Sequence, residues 1–286
     1  MPSRSFPTVG RLRFLTCASC LSRNRRSIVA STEVHRVARY LAAALLSVLL
    51  GGVGIARADG AVVAVATNFA TAAEHLEREF EAGQDRLTLV AGSTGKLYAQ
   101  IVHGAPFDVL LSADQERPAA LVSRGRISVE QTFTYAVGRL VLWSADPQLL
   151  QVDPRGVLGA GRFRRLALAN PELAPYGRAA LQTLRSLGYD EALQKKLVYG
   201  ENVGQAHALV ATGNAELGFV AHANVIAERR GSRWAVPAAL HAPVLQDAVL
   251  LNAASAEAVA FFDFLRSAPA RRVIARFGYG LPESDD

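Results

Sequence analysis

AVVAVATNFATAAEHLEREF, residues 61–80, joins an apolar run, a short polar turn and an amphipathic segment in direct succession. The run Ala61–Ala66 contains no polar residue, which is typical of a parallel strand buried on both faces. Over Thr71–Glu81 apolar residues such as Leu76 and Phe80 recur at helical spacing, so this segment is predicted to be a helix. A strand followed at once by a helix is the unit of a parallel α/β sheet.

The same alternation continues along the chain, with Pro and Gly between the predicted elements. Strands and helices this closely spaced predict βαβ units with right-handed crossovers. The 228 residues from position 59 onward fit a two-lobed α/β protein better than two independent domains. Further strands are predicted near Arg86–Ala91, Asp108–Leu111, Leu140–Trp143, Arg165–Ala169, Leu197–Tyr199, Leu217–Val220 and Val244–Leu251, and helices near Lys96–His103, Gln115–Ser123, Gly177–Leu187, Gln205–Ala211 and Glu257–Arg266.

Four of the strand-to-helix junctions carry hydroxyl or amide side chains. In open α/β sheets, ligands bind beyond the carboxyl ends of the strands, where helix N-termini present unpaired N–H groups and the positive end of the helix dipole. Such junctions attract anions. The alternative for each junction is that its polar residues only cap a helix. The junctions are residues 66–71 (ATNFAT), 91–96 (AGSTGK), 170–180 (NPELAPYGRAA) and 199–205 (YGENVGQ), and they contain no obvious base or nucleophile.

Two motifs of other protein classes do not match this sequence, because their residues are spaced differently. The phosphate-binding P-loop, G-x-x-x-x-G-K-[ST], needs glycine and a hydroxyl residue at positions where the chain has Val90 and Leu97. The nucleophile elbow of hydrolases, G-x-S-x-G, is one residue longer than Gly92–Gly95. Neither a nucleotide site nor a serine hydrolase is therefore expected here.

The titratable residues give no catalytic or metal-binding pattern. The five histidines after residue 58 show no H-x-x-x-H or H-E-x-x-H spacing, which disfavours a zinc site, and His75 and His207 are expected on helix surfaces. Asp108 and Asp114 stand where a strand and a helix begin, so we expect structural roles for both.

The first 58 residues differ from the rest in charge. They contain nine Arg, no Lys and the single acid Glu33, a charge of +8. The apolar run Leu41–Ile55, with basic residues before it and Ala-Arg-Ala after it, has the three parts of a secretory signal peptide, and cleavage is predicted after Ala58. At 15 residues the run is shorter than the roughly 20 that span a bilayer. Residues 1–33 are expected to be untranslated if Val34 marks a GTG start codon.

The remaining chain is mildly acidic. Without the leader it has 22 Lys+Arg and 24 Asp+Glu, a net charge of −2, so the +6 of the whole sequence is no evidence for a nucleic-acid partner. Cys17 and Cys20 both precede the predicted cleavage site, and the exported protein is expected to contain no disulfide. These features predict a periplasmic protein.

Six stretches of the chain carry a family resemblance: AVATNFATA at 64–72, AGSTGKLYAQI at 91–101, GAPFDVLLSADQ at 104–115, NPELAPYGRAAL at 170–181, ENVGQAHALV at 201–210 and ELGFVA at 216–221. In this order they resemble the periplasmic molybdate-binding proteins of bacterial ABC importers, a type II solute-binding protein family. The resemblance implies an α/β fold of two lobes, each a mixed sheet flanked by helices, joined by two hinge strands. It assigns residues 59–138 plus 243–286 to lobe 1 and 139–242 to lobe 2, with hinges near Tyr135–Leu140 and His241–Leu245.

Carried over position by position, the resemblance also implies the ligand-binding residues. Ser93 and Thr94 are alternatives for one position, and the better-known branch of the family has a tyrosine where this chain has Ala221. We expect Asn68 to replace that missing donor, and Glu201, the nearest acid, to point away. The implied residues are Thr67, Asn68, Ser93, Thr94, Tyr176 and Val203, the last through its main-chain N–H.

The implied ligand is molybdate, with tungstate as a second one, and molybdenum enters only as this oxyanion. Both ions are tetrahedral dianions without a proton at neutral pH. Neutral donors satisfy all their oxygens, whereas a buried carboxylate repels them. About seven charge-assisted hydrogen bonds, at roughly 1.5–3 kcal/mol each, offset the desolvation of the ion without a counter-ion.

The expected protein is a monomeric solute-binding protein that delivers its ligand to the membrane permease of an ABC importer. We expect no catalytic residue and no cofactor. One alternative is a binding protein for another tetrahedral oxyanion, such as sulfate or thiosulfate. A secreted α/β hydrolase is disfavoured by the missing elbow motif. The ligand-sensing part of a transcription regulator is disfavoured because a signal peptide stands where a DNA-binding helix-turn-helix would be.

Overall fold

The computed structural model describes residues 60–81, 86–251 and 254–282. The predicted leader lies outside the described residues, together with its cleavage site at Ala58, the start at Val34 and the cysteines Cys17 and Cys20. All the described residues belong to one structural unit, residues 59–286.

Strands and helices alternate along the described chain. The strands are β1 Ala61–Ala66, β2 Leu87–Gly92, β3 Val109–Leu111, β4 Thr132–Gly138, β5 Leu140–Ser144, β6 Leu166–Ala169, β7 Leu197–Gly200, β8 Leu217–Ala221, β9 Ser232–Ala235 and β10 Val244–Leu250. The α-helices are α1 Ala70–Glu81, α2 Thr94–Val102, α3 Glu116–Ser123, α4 Pro154–Ala160, α5 Pro175–Ser186, α6 Asp190–Leu193, α7 Val203–Ala211, α8 His222–Val225, α9 Ala256–Phe264 and α10 Ala268–Arg276.

The first sheet has the strand order β2-β1-β3-β10-β4. β1 pairs in parallel with β2 and β3, whereas β10 runs antiparallel to β3 and β4. Val63 and Val65 of β1 pack into one apolar cluster with α1, α9 and α10, and Ala64 packs into another with α2 and α3. Helices on both faces of β1 explain why its sequence is apolar at every position.

The second sheet has the strand order β7-β6-β8-β5-β9. β6 pairs in parallel with β7 and β8, and β5 runs antiparallel to β8 and β9. Helices α5 and α7 both contact β6 and β8. The two sheets with their helices confirm the predicted two-lobed α/β fold class.

The chain passes between the sheets twice. Arg139 alone separates β4 from β5, and residues 236–243 join β9 to β10. Gly138 pairs with Val244, so the two connections run side by side. Hinges were predicted in these two segments.

The pairing of β4 with β10 contains an irregularity. Gln246 pairs with Ala136, but the next residue, Asp247, pairs with Thr134, which leaves Tyr135 as an extra residue on β4. Such a bulge bends the strand and changes the direction of its side chains.

The elements predicted from the sequence are present, with ends that differ by one to a few residues. The predictions omitted β9, α4, α6, α8 and α10, and they covered β4 only by the hinge expected near Tyr135–Leu140. In the part of the chain that the structure describes, no helix has both the length and the apolar composition to cross a membrane.

Candidate functional site

The first junction ends β1 in a tight turn. Thr67 N donates to Gly92 O at 3.0 Å, and Phe69 N donates to Ala66 O at 2.8 Å. Phe69 is fully buried and anchors the turn in the core. Asn68, between these two residues, is buried as well, while Thr67 remains half-buried.

Ser93, at the second junction, occupies the N-cap position of α2, but its hydroxyl makes no capping hydrogen bond. A serine at this position ordinarily accepts from an N–H of the first helical turn. Ser93 is 2 % exposed, and among the described residues its Oγ has no hydrogen-bond partner. Since an unsatisfied buried polar group costs about 1–3 kcal/mol, this hydroxyl marks a place for an additional acceptor.

Thr94, the alternative to Ser93, has a different environment. Its Oγ1 accepts a hydrogen bond from Ala113 N at 3.1 Å. This bond joins α2 to the segment after β3. The structure therefore gives the Thr94 hydroxyl a protein partner and leaves the Ser93 hydroxyl without one among the described residues.

The third junction places Tyr176 in the first turn of α5. Pro175 precedes it at the first helical position, where the fixed φ of proline suits a helix start. A Cβ on Gly177 would lie 2.2 Å from Ala169 O, so this glycine lets α5 approach the end of β6 closely. The Tyr176 ring is buried, and its hydroxyl lies 3.3 Å from Gln246 Nε2.

The fourth junction opens α7 with a side-chain cap. Asn202 Oδ1 accepts from Gln205 N at 2.9 Å, which satisfies the third N–H of the helix. The N–H groups of Val203 and Gly204 stand at the positive end of the helix dipole. A Cβ on Gly204 would lie 3.6 Å from Thr67 Cβ, so the start of α7 lies against the first junction.

The second and third junctions also meet, because Gly95 N donates to Leu173 O at 2.9 Å. The structure thus connects the four junctions that carry the six predicted residues, where parallel strands of the two sheets end. The junctions present hydroxyl groups, amide groups and helix N-termini, which are groups that bind anions.

Residues 61–280 match the family model described as bacterial extracellular solute-binding protein. The chain belongs to this family. It is 43% identical to the molybdate-binding protein ModA of Rhodobacter capsulatus over 252 residues, 87% of this chain and 98% of the relative. It is 44% identical to the molybdate-binding protein ModA of Azotobacter vinelandii over 232 residues, 79% of this chain and 92% of the relative. The solved structure of the Azotobacter vinelandii periplasmic molybdate-binding protein matches with a TM-score of 0.75 and 38% identity, over 78% of this chain and 100% of that chain.

Behind the junctions, this solute-binding protein contains a buried network of amides and phenols. Asn68 Nδ2 donates to Gln246 Oε1 at 2.8 Å and to the Tyr279 hydroxyl at 3.2 Å, and that hydroxyl donates to Asn68 O at 2.6 Å. The Tyr135 hydroxyl donates to Gln246 Oε1 at 3.2 Å. Burial raises the pKa of Tyr135, Tyr176 and Tyr279, so all three phenols keep their protons at neutral pH.

This network differs from one expectation. Ala221 is fully buried at the end of β8, and Asn68 was predicted to replace the hydroxyl missing there. Both amide hydrogens of Asn68 have acceptors within the protein, Gln246 and Tyr279, so its side chain supports neighbouring groups. Sequence reasoning missed Gln246, although a Gln-Asp pair inside an apolar strand was a visible signal.

The acids of the solute-binding protein near the junctions have basic partners. Glu201, expected to point away from the ligand, contacts Lys96 of α2. Asp114 Oδ2 lies 2.8 Å from Arg178 Nη2, and Glu116 Oε2 lies 2.5 Å from Arg178 Nη1. The carboxylate charges are therefore offset by cations close to the site.

His207 differs in part from another expectation. Its side chain is 21% exposed at the helix surface, and its ring packs at a tilt against Trp143, with ring centroids 4.8 Å apart. Burial lowers its pKa. Asp108 has the expected structural role, because its carboxylate accepts from Val62 N at 2.8 Å and from Ser255 N at 3.2 Å. Within the described residues, no three His, Cys, Asp or Glu side chains are grouped to hold a metal ion.

Proposed function

We propose that this chain captures molybdate, and also tungstate, between two lobes in the periplasm and delivers the ion to the membrane permease of an ABC importer. Lobe 1 is residues 59–138 plus 243–286, and lobe 2 is residues 139–242. The proposed protein is a monomer that binds its ligand without transforming it. The proposed oxyanion site is lined by Thr67, Asn68, Ser93, Thr94, Tyr176 and Val203, and the Asn68 side chain contributes by holding Gln246 and Tyr279 in place.

The observation that carries this proposal is the buried Ser93 hydroxyl. It lies at the start of α2 and has no hydrogen-bond partner among the described residues. An oxyanion oxygen supplies the acceptor that such a hydroxyl requires. The N-terminus of α7 lies against the neighbouring Thr67, so a second helix dipole favours negative charge at the same place.

The donor set favours an ion without a proton. Tyr176 keeps its O–H because burial raises its pKa, and main-chain N–H groups can only donate. Phosphate carries a proton near neutral pH and needs an acceptor for it. Glu201, the acid in the fourth junction, has Lys96 as its partner. Molybdate and tungstate accept at every oxygen, and the two relatives with 43–44% identity are named molybdate-binding proteins.

A ligand panel tests the proposal. The melting temperature of the purified protein is measured with molybdate, tungstate, sulfate or phosphate. At about 100 times the dissociation constant, a ligand stabilises the native state by about 2.7 kcal/mol. Molybdate and tungstate are expected to raise the melting temperature, and sulfate and phosphate to leave it unchanged.

The Tyr176→Phe variant is the control for the site. It is expected to bind molybdate at least tenfold more weakly, because it loses a hydrogen bond to a charged ligand. Stabilisation by sulfate alone contradicts the molybdate proposal. Unchanged molybdate affinity in Tyr176→Phe contradicts the site.

A further inference from the structure

We propose that Gln246 is a positioning residue that directs the Tyr176 hydroxyl proton toward the bound oxyanion. This inference rests on the proposed function, because it concerns one donor of that site. Gln246 lies in β10 and is 0 % exposed. It belongs to none of the four junctions, and its role follows from the direction of the hydrogen bonds around it.

The donor and acceptor in each hydrogen bond can be assigned in turn, starting from Tyr279. Its hydroxyl lies 2.6 Å from Asn68 O, a carbonyl oxygen that can only accept, so Tyr279 donates its single proton there. The Tyr279 oxygen is then free only to accept. The Asn68 side-chain atom 3.2 Å from it must therefore be the donor Nδ2 and not Oδ1.

The same reasoning fixes the orientation of Gln246. Asn68 Nδ2, established as a donor, lies 2.8 Å from the Gln246 amide, so the Gln246 atom facing it is Oε1. The Tyr135 hydroxyl approaches the same oxygen at 3.2 Å. Gln246 Nε2 consequently points the other way, to the Tyr176 hydroxyl oxygen at 3.3 Å.

Tyr176 is thus the end of a chain of ordered hydrogen bonds. Its oxygen accepts from Gln246 Nε2 at 3.3 Å. A phenol has one proton, and an oxygen that accepts from an amide donor directs that proton elsewhere. The donated proton is then available to a ligand oxygen before the ligand arrives, which is preorganisation.

The backbone allows the Tyr176 hydroxyl and the Gln246 amide to approach each other closely. A Cβ on Gly138 would lie 2.3 Å from the Tyr176 hydroxyl oxygen and 2.6 Å from Gln246 Nε2, so both groups rest against a glycine at the end of β4. The bulge that leaves Tyr135 unpaired lies beside Gln246 in the same strand pair. These features place the Gln246 side chain against Tyr176 at the end of β4.

A double-mutant cycle tests the proposal. Molybdate affinity is measured by calorimetry for the purified wild type, Gln246→Met, Tyr176→Phe and the double variant. Methionine has a similar length but no amide, so Gln246→Met is expected to bind molybdate about three- to tenfold more weakly. In the Tyr176→Phe background the same change is expected to alter affinity by less than about twofold, since the proton that it orients is gone.

The possible results distinguish the positioning role of Gln246, the assignment of the site and the proposed function. Coupling between the two positions supports the positioning role. Unchanged affinity in Gln246→Met, or an equal loss in both backgrounds, overturns it while Tyr176→Phe still confirms the site. Absence of molybdate binding by the wild type overturns the proposed function itself.

Gln246→Glu supplies a second readout, which also serves if Gln246→Met does not fold. An ionised carboxyl only accepts, so it turns the Tyr176 proton away from the ligand, whereas a protonated carboxyl can donate again. Affinity is expected to rise as the pH falls from 8 to 5. Tyr135 and Tyr176 contact position 246, and Tyr279 contacts the neighbouring Asn68. All three phenols stay protonated in this range, and the wild type controls for the adjacent Asp247. A profile parallel to that of the wild type overturns the proposal.

Discussion

At the scale of single residues, Ser93 and Thr94 show how two neighbouring hydroxyls take different roles. Thr94 Oγ1 accepts from Ala113 N at 3.1 Å, whereas Ser93 Oγ has no hydrogen-bond partner among the described residues. The first hydroxyl holds the junction together, and the second is available to a ligand. This difference predicts opposite effects of removing them.

Ser93→Ala is expected to weaken molybdate binding by about tenfold or more, because one charge-assisted hydrogen bond is lost. The stability of the ligand-free protein is expected to stay the same or to increase, since a buried hydroxyl without a partner is removed. Calorimetry with molybdate and urea denaturation without it measure the two effects.

Thr94→Val is the matched comparison. It leaves Ala113 N without its acceptor, so the ligand-free protein is expected to lose about 1–3 kcal/mol of stability. If Ser93→Ala destabilises the ligand-free protein as much as Thr94→Val does, Ser93 has a structural role and its assignment to the ligand is wrong.

The sequence pattern predicted the four junctions, because each follows an apolar run at the point where a helix begins. The ligand residues within them were implied by the resemblance to molybdate-binding proteins. Gln246 could not be predicted in this way, since its role depends on Asn68, Tyr135 and Tyr176, which are distant in sequence. The choice between Ser93 and Thr94 likewise depended on Ala113, a tertiary contact.

At the scale of elements, β4, β10 and the start of α3 are linked by one buried carboxylate. Asp247 Oδ1 accepts from Thr134 Oγ1 at 2.7 Å and from Gln115 Nε2 at 3.2 Å. Burial raises the pKa of Asp247 above its ordinary value of 3.8, and the nearby Asp114 adds to this effect, although the two hydrogen bonds oppose it. The native state therefore holds this proton more tightly than the unfolded state does.

Asp247→Asn is expected to become more stable relative to wild type as the pH rises from 4 to 7. A raised native pKa contributes stability at low pH that is lost as the pH rises through that pKa. The amide removes this loss and keeps an oxygen for both hydrogen bonds. Urea denaturation at several pH values measures the free energy of unfolding of wild type and variant. Asp263→Asn, at an exposed position, is the control. A stability difference that does not change with pH contradicts the prediction.

β9 and α10 were missed from the sequence for different physical reasons. β9 is a four-residue edge strand whose residues are alternately covered and exposed, so it offers no apolar run. Three residues separate α9 from α10, and the last of them, Ser267, caps α10. The helix predicted over Glu257–Arg266 fills most of this gap, so the sequence showed no break after which a new helix begins. Strands such as β1 were predicted because packing on both faces requires an apolar sequence.

At the scale of the whole molecule, charged side chains connect the parts proposed as lobes 1 and 2. Arg178 of α5 contacts Asp114 and Glu116, which follow β3, and Lys96 of α2 contacts Glu201 before α7. Arg117 Nη2 also donates to Glu172 O at 2.9 Å. These contacts lie around the junctions, where separation of the lobes would break them.

Such contacts favour an arrangement in which the two proposed lobes lie against each other, here called the closed form, before a ligand adds its own hydrogen bonds. The apparent affinity of a ligand falls in proportion to the population of the binding-competent form. The Arg178 and Asp114 side chains are 35% and 10% exposed, so this pair between the proposed lobes is less screened by solvent than a fully exposed pair. The lobe contacts are therefore expected to contribute to molybdate affinity without touching the ion.

Arg178→Gln is expected to weaken molybdate binding about fivefold, the order of one ion-pair interaction, because the closed form becomes less populated. Arg185→Gln is the matched control: it lies on the same helix, but its partner Asp190, 3.7 Å away, belongs to the same proposed lobe. Calorimetry is performed at low and high salt, and the difference between wild type and Arg178→Gln is expected to shrink as salt screens the pair. Equal affinities for the two variants at low salt would show that the contacts of Arg178 do not contribute to closure.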